Sequence, residues 1–306
     1  MSVILRIINS KEKEAALLEK IKLVCQGEKD LGIYDIDVSE FESLPGMPLA
    51  YWLTPKLRSL YELPSFDSKG EGRCTRCGLG TLDDFRFLRL FWEVKEGRDG
   101  WVSYFHGGKF SAFYDTFPLK VYWGDKGGQI KRFVEAKVGS ASRKVQGEDK
   151  YFSPGFLFPR RTRAFSPKFM PAGGIFSTAG QAGFVPLGEL PESVALLSSS
   201  ICNSLLTISQ GTTSQEGGGT NPQFEVGQVK RLPWPGFSSF SGTLKKLALR
   251  SWSIKRALDS VNEVSHAFHA PEFIFQLRNG WVRADLESEV EVLRGEIEDV
   301  TTIIYG

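Results

Sequence analysis

The sequence predicts an α+β fold, in which a mixed α/β body lies between a flanking N-terminal helix and a C-terminal helical region. Apolar residues recur at helical spacing near both ends, whereas Gly, aromatic and β-branched residues become dense from about residue 70. Of the 306 residues, 41% are hydrophobic and 24% are charged, which excludes a disordered or collagen-like chain. A chain of this length can bury one large core or two modest ones.

Residues 1–65 are predicted to form a helical connector segment. Residues 11–24 place their apolar side chains near one helix face, with Ser10 as a candidate N-cap, and residues 55–63 predict a second short helix. The N-terminus does not match a signal peptide, because it turns rich in Lys and Glu after a few apolar residues. No stretch approaches the roughly 18 apolar residues of a membrane span, so no membrane partner is expected.

Residues 66–236 are predicted to form the mixed α/β body. Strand-like runs at 101–105, 121–123 and 174–176 are separated by Gly-rich turns. Residues 85–94 are apolar and fit either a strand or a helix. Their aromatic side chains are expected in the core: Phe85, Phe87, Phe91 and Trp92.

The remaining segments complete the predicted order of elements. Residues 187–208 have helical spacing, residues 209–221 are predicted to be a surface loop, and residues 224–232 are predicted to be a strand. The C-terminal helical region, residues 237–306, contains helical patterns at 241–269 and 286–304, with Trp252 and Leu258 as packing residues.

The net charge of +2 hides a strong asymmetry. Residues 131–168 contain ten basic and three acidic residues, a balance of +7, whereas residues 285–299 contain seven acids and one Arg, a balance of −6. The basic stretch is interleaved with aromatic residues, a pattern typical of a nucleic-acid surface. The alternative is a solvated basic face whose aromatic residues lie in the core.

Four cysteines do not make a disulfide framework, which favours a reducing cytoplasm. Cys74 and Cys77 form a lone CxxC, and the nearest second ligand pair, His266 and His269, is almost 190 residues away, so no metal site is expected. The chain has no P-loop, GxSxG or HExxH motif, and no catalytic residue is assigned. Asp83 and Asp84 are interpreted as an N-cap or as salt-bridge partners of Arg86 or Arg89.

Seven strings, taken in order, are unusual enough to suggest a family. They are PLAYW at 48–52, GLGTLDDFRFLRLFWEV at 78–94, GGK at 107–109, YFSPGFLFPRRT at 151–162, PAGGIF at 171–176, FEVGQVKRLPWP at 224–235 and WSIKRALD at 252–259. Together they resemble the C-terminal half of large adenine-specific DNA methyltransferases, which include type IIG restriction-modification enzymes and BREX-type phage-defence methylases. The resemblance runs from about residue 4 to residue 305.

In that family, this half carries a TaqI-like specificity domain, also called a target-recognition domain, and the catalytic Rossmann-like domain lies upstream. The resemblance therefore implies a recognition module without its own catalytic domain, partnered by double-stranded DNA and by an adenine methyltransferase domain or subunit. S-adenosylmethionine is expected on that partner, and no cofactor is expected in this chain. Thr220-Asn-Pro-Gln223 lacks the second Pro and the aromatic residue of the catalytic Asn-Pro-Pro-Tyr motif, and it is rejected as a catalytic motif.

One departure from the family concerns a tight turn. Family members usually have Thr-Gly-Asp-Asp or Thr-Gly-Asp-Asn where this chain has Thr81-Leu-Asp-Asp84. The loss of that Gly changes the backbone conformations that the turn permits.

The resemblance implies that loops of this chain reach base edges in the major groove, with basic residues on the phosphates. Candidate DNA contacts are Arg160, Arg161, Arg163 and Lys168, with Arg143 and Lys144 on phosphates and Lys109 and Gln181 as weaker candidates. The alternative for residues 160–163 is a salt-bridge cluster with acids of the tail helices.

Two other functions stay open at this point. One is a protein-interaction or regulatory module, derived from such a domain, that docks a defence complex without reading DNA. The other is a metal-dependent nuclease that uses Asp84 together with Glu93 and Lys95. Whether the chain is itself enzymatic is therefore uncertain from the sequence.

Overall fold

The computed structural model describes residues 2–8, 10–42, 44, 46–48, 50–95, 99–209, 222–280 and 282–306, and these form the predicted α+β fold. The strands are β1 (Ser2–Leu5), β2 (Ile33–Ile36), β3 (Cys74–Arg76), β4 (Leu88–Leu90), β5 (Trp101–Phe105), β6 (Leu119–Tyr122), β7 (Gly155–Pro159), β8 (Lys168–Met170), β9 (Gly174–Phe176) and β10 (Gly180–Phe184). The helices are α1 (Lys13–Gln26), α2 (Pro55–Ser59), α3 (Asp84–Phe87), α4 (Gly124–Val138), α5 (Leu190–Leu197), α6 (Ser200–Ile208), α7 (Val226–Lys230), α8 (Ser241–Asp259), α9 (Glu272–Asn279) and α10 (Arg283–Tyr305).

Two four-stranded sheets make up the body. One has the strand order β3-β10-β7-β8 and the other has the order β4-β6-β5-β9, while β1 and β2 form a separate antiparallel pair. Every pairing between these strands is antiparallel except β5 with β9, in which Ser103 is paired with Gly174. The two sheets join where Leu79, beyond β3, bridges to Ser177, beyond β9.

Apolar side chains form three buried clusters. One lies between the two sheets and α4 and contains Val121, Ile130 and Phe176. A second extends from Phe66 to Tyr305 and seats α5, α6, α8 and α10 against the strands. A third, smaller cluster lies in the N-terminal segment around Phe41 and reaches Ile208 on α6. The tail helices therefore share their core with the body.

The ambiguous segment 85–94 adopts both of the predicted structures in turn. Asp83 caps α3, its carboxylate accepting a hydrogen bond from the Arg86 amide at 3.1 Å, so the predicted N-cap role is confirmed. After this single turn the chain extends into β4. Phe87 is buried, but Phe85 and Trp92 are exposed, so placing all four aromatic residues in the core was wrong. A one-turn helix buries only one side of itself, and Phe85 is on the other.

Several predicted boundaries also change. Residues 224–232 do not form a strand, because Glu225 and Gln228 make a capping box that starts α7. α8 ends at Asp259 rather than near His269, and α1 is preceded by Glu12 rather than capped by Ser10. Most of the predicted loop, residues 210–221, lies outside the described residues. Among the helices that are described, none combines the length and hydrophobicity needed to cross a membrane.

Candidate nucleic-acid interface

The ends of four strands meet at one edge of the body. β3 and β7 both run antiparallel to β10, and β5 runs parallel to β9, so these four strands point the same way across the Leu79–Ser177 junction. Their carboxyl ends, with the start of β10, form a surface that we term the strand-end rim. It consists of residues 77–85, 106–110, 160–163 and 177–181. Loops at strand ends are exposed yet rigidly positioned, which suits recognition.

Arg160 and Arg161 follow β7 on this rim and are held from one side by a neighbouring segment. The Arg160 guanidinium lies 2.7 Å (Nη2) and 2.8 Å (Nε) from Glu225 Oε1. Arg161 donates from Nε and Nη2 to Gln223 Oε1 at 3.0 and 2.8 Å. The Phe224 amide donates to the Arg160 carbonyl at 2.8 Å, which fixes this segment along the rim.

Glu225 is the centre of this hydrogen-bond network. Its carboxylate also accepts from the side-chain amides of Gln223 and, at 2.9 Å, of Gln181. Burial acts to raise the pKa of Glu225, but the bonds from Gln181, Arg160 and Gln223 outweigh it and hold that pKa below its ordinary value. We call these five residues the Glu225 cluster: Arg160, Arg161, Gln181, Gln223 and Glu225.

Gln181 lies behind this cluster rather than on its surface. It is 2% exposed, and its Oε1 has no hydrogen-bond partner among the described residues. The prediction of Gln181 as a DNA contact is therefore corrected, because its side chain supports Glu225 from within.

The other predicted basic residues that are not buried lie on the rim or in the segment beside it. Arg163 and Lys109 are exposed, and the Arg163 guanidinium stacks 4.3 Å above the Phe110 ring. Arg143 is exposed and donates to the Val138 carbonyl at 2.9 Å. The half-buried Lys144 accepts at its carbonyl from the Gly80 amide at 2.8 Å, which places it beside the rim.

The prediction that Lys168 contacts DNA is wrong, because this residue is 0% exposed. Its Nζ is bonded to the Asp115 carboxylate and donates to the carbonyls of Gly107 and Lys109 at 3.1 and 3.3 Å. Burial lowers the pKa of Lys168, and the Asp115 carboxylate opposes that effect. Lys168 thus fixes the turn after β5 from inside.

The sequence did not predict Glu225 as part of the site. Arg160 pairs with Glu225, and not with the tail helices as the alternative proposed. Tail acids have other partners: Glu289 binds Arg250 and Glu298 accepts from Ser200. The capping-box spacing of Glu225 and Gln228 was a readable signal for the local turn, but it gave no indication of the contact with β7.

The two acids of the nuclease hypothesis, Asp84 and Glu93, form hydrogen bonds with different partners. Asp84 accepts a hydrogen bond from the Thr81 hydroxyl, whereas Glu93 accepts from the Leu90 amide at 2.6 Å. Among the described residues, no group of three or more His, Cys, Asp or Glu side chains is placed to hold a metal ion.

Comparison with known proteins finds similarity to two adenine-specific methyltransferases. It is 24% identical over 216 residues to the adenine-specific methyltransferase PglX of Lacticaseibacillus casei (strain Zhang), covering 66% of this chain and 17% of that protein. It is 26% identical over 157 residues to the adenine-specific methyltransferase BrxX of Escherichia coli O9:H4 (strain HS), covering 48% of this chain and 12% of that protein. The chain therefore spans only a small part of these relatives.

A solved structure is also similar. It is the type IIL restriction-modification enzyme MmeI in complex with DNA, with a TM-score of 0.49 and 16% identity over 79% of this chain and 33% of that one. No protein-family model matches the chain. The homology to adenine-specific methyltransferases agrees with the resemblance that the sequence strings carry.

Proposed function

We propose that this chain is the DNA sequence-recognition module of an adenine-specific (N6) DNA methyltransferase from a restriction-modification or phage-defence system. The observation that carries the proposal is the Glu225 cluster, in which two adjacent exposed arginines are fixed in orientation on the strand-end rim. The homology to adenine-specific methyltransferases supports the same function. Residues 66–236 would act as the recognition domain.

The cluster suits base readout because a guanidinium has five donors in a fixed fork. The bonds to Glu225 and Gln223 use Nε and Nη2 of each arginine, so among the described residues Nη1 remains for an external acceptor. Guanine presents two acceptors, O6 and N7, in the major groove, and arginine is their commonest partner. A pre-oriented arginine also loses less side-chain freedom on binding.

Phosphate contacts would surround the base-reading residues. The exposed Lys109, Arg143 and Arg163 and the half-buried Lys144 flank the cluster. Their positive charge can neutralise backbone phosphates without sequence preference. On this surface, the residues that bind phosphates would position the duplex, and the two arginines of the Glu225 cluster would read its bases.

The methyl transfer itself would belong to a partner domain or subunit. The described sheets are antiparallel except for the β5–β9 pair, which differs from the open parallel sheets that bind dinucleotide-type cofactors. This difference supports the proposal that S-adenosylmethionine binds the partner rather than this chain. The partner would hold that cofactor and accept the adenine that is rotated out of the duplex.

The test first uses the full chain to select bound duplexes from a randomised pool, and then titrates a selected duplex by fluorescence anisotropy over a salt series. We expect salt-dependent binding that the triple variant Arg160→Ala, Arg161→Ala, Arg163→Ala weakens at least tenfold, since each arginine bound to DNA contributes about 1 kcal/mol or more. Arg250→Ala, which removes an exposed arginine paired with Glu289 on the tail, is the matched control. Unchanged affinity in the triple variant would contradict the proposal.

One observation favours the second candidate, a module that docks a protein without reading DNA. α1 buries none of its residues and exposes Leu18 and Ile21. Exposed apolar helix faces mark protein contacts. The two functions separate in the same titration, because a pure docking module shows no salt-dependent affinity for duplex DNA.

A further inference from the structure

Phe85 is an aromatic side chain that the fold leaves almost entirely in solvent. It is 96% exposed, although Phe87, two residues later in α3, is 1% exposed. The nearby Leu82 is 43% exposed. A core role is therefore excluded for Phe85. The loop before α3 and the first turn of α3 together present two apolar side chains, Leu82 and Phe85, to solvent.

This exposure does not come from a loosely held loop. The Thr81 hydroxyl donates to the Asp84 carboxylate, and Asp83 accepts from the Arg86 amide at 3.1 Å. The Arg89 guanidinium donates to the Phe85 carbonyl at 2.7 Å. Leu82 has a φ of +60°, a strained value for a residue with a branched side chain, and such strain is kept where the surrounding structure fixes it.

The loop belongs to the same rim as the Glu225 cluster. A Cβ added at Gly80 would lie 3.4 Å from Lys144 Cδ and from Thr178 Cγ2, and the Arg160 amide donates to the Ala179 carbonyl at 2.9 Å. The Tyr104 hydroxyl, on β5, donates to the Leu79 carbonyl at 2.7 Å, which joins the loop to this strand. Phe85 thus lies at the end of the rim segment 77–85.

Two arginines lie next to this apolar tip in the chain, since Arg86 follows Phe85 directly and the Arg89 guanidinium donates to the Phe85 carbonyl. The Arg86 guanidinium lies 5.1 Å from the centres of the Phe87 and Phe133 rings, Lys137 Nζ lies 5.7 Å from Phe133, and Arg89 lies 5.6 Å from Trp101. An apolar side chain with cations nearby suits a ligand whose surface is negatively charged and whose interior is apolar. Stacked DNA bases between two phosphate chains have that chemistry.

We infer that Phe85, assisted by Leu82, inserts as a wedge between adjacent base pairs of the duplex bound at the strand-end rim. Arg86 and Arg89 would then neutralise the phosphates beside the opened step. Apolar wedges of this kind unstack a base step and kink the duplex. The inference rests on the proposed recognition function, because a wedge needs DNA at the rim.

The experiment compares an intact duplex with the same duplex carrying one unpaired extra adenine, using the full chain. The extra base has already disrupted stacking, so a wedge should favour the bulged duplex on the order of tenfold. Phe85→Ala should bind both duplexes equally, and Phe85→Trp should keep the preference.

Phe273→Ala, which removes an exposed Phe on α9, is the matched control and should keep the wild-type ratio of the two affinities. Energy transfer between dyes on the duplex ends should report bending with the wild type, Phe85→Trp and Phe273→Ala, but not with Phe85→Ala.

The outcomes separate the two proposals. If the wild type binds DNA without preferring the bulge, or if Phe85→Ala keeps the preference, the wedge is overturned and the recognition function stands. If the wild type binds no duplex, both proposals are overturned. If Phe85→Ala weakens only the association with a methyltransferase catalytic subunit, the residue contacts protein and the wedge is overturned.

Discussion

The hydroxyl of Tyr305, on the last turn of α10, lies 3.3 Å from Sγ of Cys202 on α6, and both residues are buried. The same hydroxyl donates to the Pro233 carbonyl at 3.1 Å. Burial raises the pKa of Cys202 to about 11 and that of Tyr305 well above its ordinary value, so both stay protonated at neutral pH. The end of the chain is therefore fastened to the core by uncharged polar contacts.

Tyr305→Phe should destabilise the chain by about 1–3 kcal/mol, because it leaves a buried carbonyl at Pro233 without this donor. Urea denaturation gives the free energy of unfolding. Tyr122→Phe is the matched control, since among the described residues the Tyr122 hydroxyl has a single, long bond of 3.5 Å from Gln129. Equal stability of Tyr305→Phe and the wild type would contradict the assigned role.

Leu82→Gly should stabilise the chain by about 0.5–1 kcal/mol. Relief of the positive φ gains about 1–2 kcal/mol, and the added freedom of Gly in the unfolded chain removes about 0.5–1 kcal/mol. Thermal and urea denaturation measure the difference. Leu187→Gly, at an exposed leucine that lacks a positive φ, should instead destabilise, and a decrease in stability in both variants would show that Leu82 is unstrained.

Lys168→Met should destabilise the chain by about 3 kcal/mol, because it leaves the Asp115 carboxylate without its buried partner. Lys137→Met removes an exposed lysine and should change stability by less than about 0.5 kcal/mol. Both values come from equilibrium denaturation at pH 7. A Lys168 variant as stable as the Lys137 variant would show that the buried pair contributes no net stability.

Glu225 should make stability depend on pH in the acid range. Its folded pKa lies below the unfolded value of 4.5, so its stabilising contribution is complete above 4.5 and is lost as pH falls through the folded pKa. Glu225→Gln should be less stable than the wild type at pH 7, and the difference should shrink towards acid. Denaturation at several pH values measures this, and a constant difference would contradict it.

Two variants of the interface should differ in kind. Lys144→Ala should weaken binding to all duplexes alike and reduce the slope of log K against log salt by about one. Arg160→Ala should cost about 1–3 kcal/mol at one base position of the recognised site. Binding to a randomised duplex pool followed by sequencing separates them, and a uniform decrease in affinity in Arg160→Ala would assign that residue to phosphate.

Local signals predicted the local structure of this chain well. The helical patterns of 187–208 and 286–304 correspond to α5, α6 and α10, and the N-cap at Asp83 is present. Phe85 was misplaced because helical periodicity cannot tell a one-turn helix, exposed on one side, from a buried one.

The site required information from distant parts of the chain. The fate of Lys168 depends on Asp115, 53 residues earlier, and that of Arg160 depends on Glu225, 65 residues later. From the sequence alone, Lys168 and Arg160 were both predicted as DNA contacts, because both lie in the basic stretch 131–168. Only the pairing of strands decides that one is buried and the other lies on the rim.

The separation of 65 positions between Arg160 and Glu225 also sets an order of events during synthesis. A chain emerging from the ribosome N-terminus first exposes both arginines before the segment that carries Gln223 and Glu225 exists. During that interval their charge is uncompensated and open to any nucleic acid nearby. Once the segment with Gln223 and Glu225 has emerged, its bonds orient the two arginines and place an acid beside Arg160.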